Sequence, residues 1–407
     1  MTKQEYLNQL KAALASYPQD FQAELLEAFE AHFQEGLDAG MREEEVVDTL
    51  GSIDEVMETV RMMNNEREEI HTDDPTQAIK NNVNSLAREL KDLTRNIGDV
   101  VNSALTDTVS KEASFRFSEG GIVDTIGEKV LQTFSSNARV VEVHGNLDVV
   151  LSPGDTIKMN FNPYRNVFSK YSSQIEIENE DDRVVFSVGN GGSGQLKLTI
   201  PETVEEIHLK LIGGNAKVER INLTDLSIEG ASTEMYVRAC SGNNLSLSSR
   251  SGDIFVADSQ FLSIRATSYS GDVDLTSIKG NLVAESVSGD VSVMEHEGDL
   301  LTCKSVSGDV DIDESKAITK EASSTSGDIE IKETGVPDSI QAKSISGDVR
   351  IYLVDDDVHA ILTSLSGDVS FPNNLPYSKE QRNTYIIGDG HANIDASTVS
   401  GDITLDI

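Results

Sequence analysis

Apolar and polar residues alternate along most of the second half of the chain. Residues 286–293, for example, read Ser, Val, Ser, Gly, Asp, Val, Ser and Val, and residues 305–312 repeat this arrangement. A period of two is typical of β-strands with one buried face. The pattern continues in degenerate form back to residue 140. We therefore predict that residues 136–407 form one β domain.

The alternation is organised around a repeated Ser-Gly-Asp triplet followed by Val or Ile. The glycines of these triplets are Gly252, Gly271, Gly289, Gly308, Gly327, Gly347, Gly367 and Gly401. Their successive steps are 19, 18, 19, 19, 20, 20 and 34 residues. A unit of this size cannot bury its own apolar face, so units must stack at the strand spacing of about 4.8 Å. The predicted fold is mainly β with an α-helical N-terminal part, a β-solenoid of 19-residue repeats. A flat sandwich of hairpins is the alternative.

Each Gly-Asp pair is predicted to form a corner of its coil. Glycine reaches backbone conformations closed to other residues, and aspartate accepts hydrogen bonds from nearby backbone amides. A second, weaker corner is predicted about nine residues later, at Gly280-Asn281 and Gly298-Asp299. The 34-residue step contains two prolines and the polar run 378–383, which predicts a loop inserted into the last coil before the pattern resumes at Ile394.

Residues 1–63 have helical rather than strand periodicity. Tyr6, Leu7, Leu10 and Leu14 fall on one helical face, and Pro18 is suited to start a second helix. We predict a compact helical bundle here.

Residues 64–135 are predicted to hold a polar linker, a long amphipathic helix and a short capping helix. In the long helix, apolar residues recur alternately every four and three positions, at Ile79, Val83, Leu86, Leu90, Leu93, Ile97, Val100 and Ala104. This spacing is typical of a coiled-coil seam. It favours a homo-oligomer formed through residues 79–104, or equally a helix packed on its own chain. The capping helix would carry Ile122, Ile126, Val130 and Phe134.

The formal net charge of −37 restricts the partners. Nucleic acids and anionic lipids are bound mainly by Lys and Arg, so we expect no nucleic-acid partner. A protein partner or a cationic peptide suits this acidity better. No apolar run of membrane-spanning length and no signal peptide is recognisable. This predicts a cytoplasmic protein without a transmembrane segment, and unconventional surface display is the alternative.

A column of aspartates, one per coil, is the only repeated candidate for metal binding. It comprises Asp253, Asp272, Asp290, Asp309, Asp328, Asp348, Asp368 and Asp402. Stacked carboxylates repel one another unless they are hydrogen-bonded, solvated or shared with a cation. Turn capping is the favoured interpretation. Calcium is the alternative, although calcium-binding repeats use a longer motif that also supplies backbone carbonyls.

No catalytic residue or cofactor site is predicted. The triplet serines, such as Ser288 and Ser307, recur in every coil, whereas a nucleophile needs one site with its own base. The seven histidines lack metal-ligand spacing, and the glycine-rich run 189–194 lacks the Lys and Ser/Thr of a phosphate loop. A β-helix hydrolase would need acidic residues clustered at one place. We therefore expect a non-enzymatic protein.

The Ser-Gly-Asp-(Val/Ile) repeats over residues 140–407 resemble the adhesin-like β-solenoid family of bacteria, which includes the LiaX- and YvlB-like C-terminal domains. The N-terminal residues Phe33-Gln34-Glu35-Gly36, Gly40, Glu44 to Val47 and Leu50-Gly51 resemble the HAAS helical signalling domain of Gram-positive bacteria. The pairing implies a scaffold or recognition protein in cell-envelope stress sensing or signalling. The alternative that it implies is an adhesin-like surface-binding protein.

Overall fold

The computed structural model describes residues 3–13, 130–134, 138–164, 174–180, 182–189, 192–381, 384–388 and 390–407. This part of the chain holds one helix, α1 (Lys3–Ala13), and strands numbered β1 to β26 in a single sheet. The prediction of a mainly β protein is confirmed. The predicted helical bundle beyond α1, the linker and the 79–104 seam lie outside the described residues.

The strands of the first half are β1 (Val130–Phe134), β2 (Val140–Pro153), β3 (Ile157–Pro163), β4 (Ile175–Asn179), β5 (Arg183–Val188), β6 (Gly194–Ile200), β7 (Glu206–Gly213), β8 (Ala216–Glu219), β9 (Asp225–Ser232), β10 (Met235–Arg238), β11 (Ser241–Ser249), β12 (Ile254–Ser268) and β13 (Val273–Ser286). Those of the second half are β14 (Val291–Glu297), β15 (Leu300–Lys304), β16 (Val310–Ser315), β17 (Thr319–Ser323), β18 (Ile329–Glu333), β19 (Ser339–Lys343), β20 (Val349–Tyr352), β21 (Val358–Ser364), β22 (Val369–Ser370), β23 (Tyr377–Gln381), β24 (Thr384–Ile387), β25 (Ala392–Thr398) and β26 (Ile403–Asp406).

Helix α1 buries one face. Tyr6, Leu7 and Leu10 are buried, as their four- and three-residue spacing predicts. Leu14, the fourth residue of that predicted face, lies outside the described residues.

Most strands stack in two parallel ladders, and each coil contributes one strand to each. In ladder A, which follows the Gly-Asp corners, Ile254 lies between Met235 and Val273. In ladder B, which precedes those corners, Leu245 lies between Leu226 and Ile264. Alternate residues point inward, so stacked Val, Ile, Leu and Ala side chains form one continuous core along the coils.

The second corner of the coil begins earlier than the sequence predicted. In six coils the backbone is left-handed four residues after the first paired ladder A position; these residues are Arg220, Ala239, Asp258, Ser277, Glu295 and Glu314. Ser277 and Glu295 precede the predicted corner glycines by three residues. Gly280 also has a positive φ of 126°, so the corner there spans residues 277–280. Glycine marks only the end of this corner, because the left-handed residue at its start is not a glycine.

The predicted capping helix over residues 122–134 is wrong for its last five residues. Residues 130–134 form β1, which pairs antiparallel with β3 and places Val130 beside Phe161 and Phe134 beside Ile157. Residues four apart share a face in a helix and also in a strand. The spacing of Val130 and Phe134 therefore fits both elements.

Both ends of the solenoid depart from chain order. At the first end, β2 lies between β5 and β7, so the coil containing β5 and β6 lies beyond β2. The antiparallel strands β4 and β3 cover the far edges of β5 and β6. At the other end, β25 lies between β19 and β21, and β26 lies between β20 and β22.

The 34-residue step was predicted to contain an inserted loop, and this prediction is wrong. Its residues form the antiparallel hairpin β23–β24, which covers the outer edge of β21. Phe371, Tyr377 and Tyr385 pack together there, with ring centroids 5.0 to 6.1 Å apart. The packed aromatic rings give the segment an ordered structure that its prolines and polar residues did not indicate.

Candidate functional site

The Ser-Gly-Asp corners form one long edge of the solenoid, and their tight backbone stacking explains the glycine. A Cβ atom at Gly271 would lie 2.4 Å from the carbonyl oxygen of Gly252 in the preceding coil. At Gly308 the corresponding distance to the Gly289 oxygen is 2.2 Å. Any other residue would therefore push the coils apart at this edge.

A second serine, three residues before each corner glycine, holds the corners together. Ser268 Oγ accepts a hydrogen bond from the Gly271 amide at 2.9 Å and donates one to the Gly252 carbonyl at 3.1 Å. Ser249, Ser286, Ser305, Ser324, Ser344, Ser364 and Thr398 occupy the same position and make the same two types of bond. This column was not predicted, although a Ser or Thr stands three residues before the triplet glycine in every repeat.

The serine of the triplet itself has a different environment. Ser251, Ser270, Ser288, Ser307, Ser326 and Ser366 are exposed, and Ser346 and Ser400 are half-buried. The Ser366 hydroxyl donates to the Val399 carbonyl of the adjacent coil at 3.0 Å. The exposed serine column is thus distinct from the buried one. That the protein is non-enzymatic stays a prediction.

The aspartate column is hydrogen-bonded from coil to coil. Asp253 Oδ1 accepts the Asp272 amide at 3.0 Å, and Asp272 Oδ1 accepts the Asp290 amide at 2.9 Å. The same bond joins Asp309 to Asp290, Asp328 to Asp309, Asp348 to Asp328, Asp402 to Asp348 and Asp368 to Asp402. Seven of the eight carboxylates therefore cap the corner of a neighbouring coil.

A second acidic column runs beside the first, two residues further along ladder A. Asp274, Ser292, Asp311, Glu330 and Arg350 pair successively in register. Burial, followed by the charges of neighbouring aspartates, raises the pKa of Asp274. Burial and then Glu330 raise the pKa of Asp311.

The C-terminal side of this edge is partly neutralised. Arg350 donates to Asp328 Oδ2 at 2.9 Å and to Asp348 Oδ2 at 2.5 Å. Within the described ranges, no three His, Cys, Asp or Glu side chains are grouped so that they could hold a metal ion. The calcium alternative for the aspartate column stays an untested hypothesis.

A separate group of polar residues is buried inside the solenoid. The side chains of Lys320 and Glu333 are 0% exposed, and Lys320 Nζ lies 2.9 Å from Glu333 Oε2 and 2.7 Å from the Ala317 carbonyl. Burial lowers the pKa of Lys320 and raises that of Glu333. Nearby, buried His296 contacts the Gly280 carbonyl through Nε2 at 2.8 Å, and burial lowers its pKa.

Comparison with known families assigns this repeated architecture. A model described as Toastrack DUF4097 matches residues 160–333 and 301–406, which include both ladders and the corner edge. The chain belongs to the Toastrack DUF4097 family. A HAAS family model matches residues 5–59. The HAAS match confirms an N-terminal HAAS domain, whereas the finer LiaX- and YvlB-like assignment stays a prediction.

Two solved structures are similar to this chain. One is a candidate adhesin from Bacteroides fragilis, 14% identical, covering 69% of this chain and 97% of its own, with a TM-score of 0.30. The other is a candidate cell-adhesion protein from Clostridium sporogenes, 10% identical, covering 69% and 98%, with a TM-score of 0.16. No curated protein matches the sequence. Among the described residues of this Toastrack protein, no helix has the length and apolarity needed to span a membrane.

Proposed function

We propose that the Toastrack region is a non-enzymatic recognition platform in cell-envelope stress signalling, with the HAAS domain as its adaptor. One observation carries this proposal: the repeated Gly, Asp and buried Ser residues are used in bonds between coils. The outward positions beside them differ from coil to coil, as in Asp274, Ser292 and Arg350. A repeated frame that displays different side chains from coil to coil suits recognition.

The chemistry of the displayed surface favours a cationic protein or peptide. Asp274, Asp311 and Glu330 lie in one column beside the aspartates of the corner edge, and the whole chain carries a net charge of −37. Lys- and Arg-rich partners would be attracted to such a surface, with an association rate that falls as salt rises.

Binding of a labelled oligolysine peptide tests the proposed surface. The variant Asp274→Asn/Asp311→Asn/Glu330→Gln should bind the peptide more weakly than the unmodified protein. Glu176→Gln/Glu178→Gln/Asp182→Asn removes the same charge from the region of β4 and β5 and is the matched control. Equal losses in the two variants would show that only the total charge matters and would refute this column as the site.

A cellular experiment tests the signalling role. Deleting the gene should change survival and the output of a stress reporter when cells meet envelope-active antibiotics or cationic peptides. Complementation with the unmodified gene should restore both. Complementation with the Asp274→Asn/Asp311→Asn/Glu330→Gln variant should not. An unchanged response in the deletion strain would refute the role.

An adhesin-like surface-binding protein is the second candidate. Half-exposed aliphatic side chains recur at the connections that lead from ladder A to ladder B, at Leu300, Ile318, Val336 and Val354. Exposed apolar surface of this kind is typical of protein interaction sites. Protease treatment of intact cells decides between the candidates: removal of the Toastrack region favours adhesion, and full protection excludes it.

A further inference from the structure

The coil formed by residues 392–406 fills a slot between two coils that precede it in the chain. In ladder B, Ile394 lies between Ile340 and Ala360. In ladder A, Ile403 lies between Val349 and Val369. This coil therefore pairs with parallel strands along both of its edges.

The inserted coil uses the same corner bonds as the coils that are stacked in chain order. The Asp402 amide donates to Asp348 Oδ1 and the Asp368 amide donates to Asp402 Oδ1, both at 2.8 Å. Thr398 Oγ donates to the Gly347 carbonyl at 3.0 Å. The slot is thus built to recognise a Ser-Gly-Asp coil on both sides.

The segment that crosses the slot is no longer than a segment that connects two adjacent coils. Residues 353–357 join β20 to β21 across the inserted coil, whereas the equally long segment 334–338 joins strands of adjacent coils. The step from Gly347 to Gly367 is 20 residues, the same as that from Gly327 to Gly347. The sequence of the outer coil therefore also suits direct stacking on the coil that contains Gly347.

The chain enters the slot through a compact crossing next to β21. Gly388 has a positive φ of 68°. The Gly390 amide donates to the Val358 carbonyl at 2.9 Å, and the His391 amide donates to the Asp357 carbonyl at 3.1 Å. A change of backbone angles at these few residues is sufficient to redirect the segment that follows.

We propose that residues 392–406 form an exchangeable coil that binds the same slot in a second copy of this chain. When the coil leaves its slot, the unpaired edges of β25 and β26 become templates for pairing with another chain. A second copy offers the complementary arrangement: Ile340 and Ala342 on one side, and Ala360 and Leu362 on the other. Reciprocal exchange produces a closed dimer without any new interface.

Variants of the full chain with one introduced cysteine detect this exchange directly, in a background where the two natural buried cysteines are replaced, Cys240→Ala and Cys303→Ala. Thr404 pairs with Ser370 across the slot, and neighbouring strands bring Cα atoms about 4.8 Å apart, within the range for a disulfide. One sample carries Thr404→Cys and the other Ser370→Cys. The samples are mixed, incubated with and without urea below the unfolding midpoint, and then oxidised. Exchange predicts a disulfide-linked heterodimer on a non-reducing gel.

Two controls make the result decisive. Ser292→Cys mixed with Asp311→Cys tests the same column in coils stacked in chain order, and should give no such product. The double variant Ser370→Cys/Thr404→Cys in one chain should form an internal disulfide and then resist exchange. If the internal disulfide forms readily but the mixed Thr404 and Ser370 variants give no more heterodimer than the control pair, in either condition, the proposal is overturned.

Discussion

At the scale of single residues, two serine columns in the same repeat have opposite environments. Ser305 is buried and bonds to both the Gly308 amide and the Gly289 carbonyl at 2.9 Å. Ser307, two residues later, is exposed at the corner. The conspicuous triplet thus marks the corner, whereas the less conspicuous serine before it holds two coils together.

Replacing these serines should separate their roles. Ser305→Ala leaves a buried amide and a buried carbonyl without their side-chain partner, which should lower the free energy of unfolding by about 1–3 kcal/mol. Ser307→Ala should change it by less than about 0.5 kcal/mol, as is usual for exposed positions. Urea unfolding of both variants measures the difference. Equal effects would contradict the role given to the buried column.

The buried Lys320–Glu333 pair is a second feature of residue scale. Lys320 occupies a column position between Leu301 and Ile340, so an ammonium group replaces an aliphatic side chain. Glu333→Gln removes the compensating charge and should destabilise the fold by about 3–5 kcal/mol, because the Lys320 charge stays buried. Lys320→Met/Glu333→Gln should recover most of this loss.

Urea unfolding of Glu333→Gln and of Lys320→Met/Glu333→Gln measures their free energies of unfolding. Similar free energies for the single and double variants would show that the two charges are not coupled.

The pH dependence of the Lys320→Met single variant gives a further test. Since the pKa of Glu333 is raised by burial, the folded state binds its proton more readily than the unfolded chain does. The stability of the Lys320→Met single variant should therefore fall as pH rises through that pKa.

At the scale of elements, the left-handed corner residues give a test of local strain. Glu314 has a φ of 53°, which costs a non-glycine residue roughly 1 kcal/mol. Glu314→Gly should therefore be neutral or slightly stabilising. Asp313→Gly, at the preceding ladder A position beside Met294, should destabilise the protein because glycine weakens a strand. Thermal unfolding of the two variants compares them, and a larger loss for Glu314→Gly would contradict the assigned strain.

The same scale shows what sequence patterns could and could not predict. Alternation and the triplets predicted the strands, and the Gly-Asp corners followed from the chemistry of glycine and aspartate. The order of the end coils could not be predicted, because the coils that contain Gly367 and Gly401 have the same pattern and fit either rung. The left-handed corner also left no signal, since Glu295 and Glu314 are ordinary polar residues in the sequence.

At the scale of the whole molecule, stacking places acidic residues of different coils side by side. Asp311 lies between Ser292 and Glu330, with the corner aspartates Asp290 and Asp309 nearby. The separation of these carboxylates along the sequence does not indicate how close they lie in the fold, because stacking makes neighbours of residues 19 positions apart. The molecule is therefore expected to be more sensitive to acid and salt along this edge than its composition alone indicates.

The pH dependence of Asp311→Asn tests this crowding. Burial and the neighbouring carboxylates raise the pKa of Asp311 in the folded state. The folded protein therefore binds this proton more tightly than the unfolded chain does, and the destabilising effect appears as pH rises above the unfolded value of 3.8. At pH 7, Asp311→Asn should raise the melting temperature by roughly 1–2 °C.

The gain should decrease as pH falls through the raised pKa of folded Asp311 towards the unfolded value of 3.8, because the carboxyl is then protonated. It should also decrease in 1 M salt, which screens the repulsion. Asp155→Asn removes the same charge from the exposed turn between β2 and β3 and should give a smaller change at pH 7. A loss of stability in Asp311→Asn at pH 7 would instead mean that the carboxylate is favourably bound in the fold. That outcome would favour a cation shared between Asp311 and the neighbouring corner aspartates, Asp290 and Asp309.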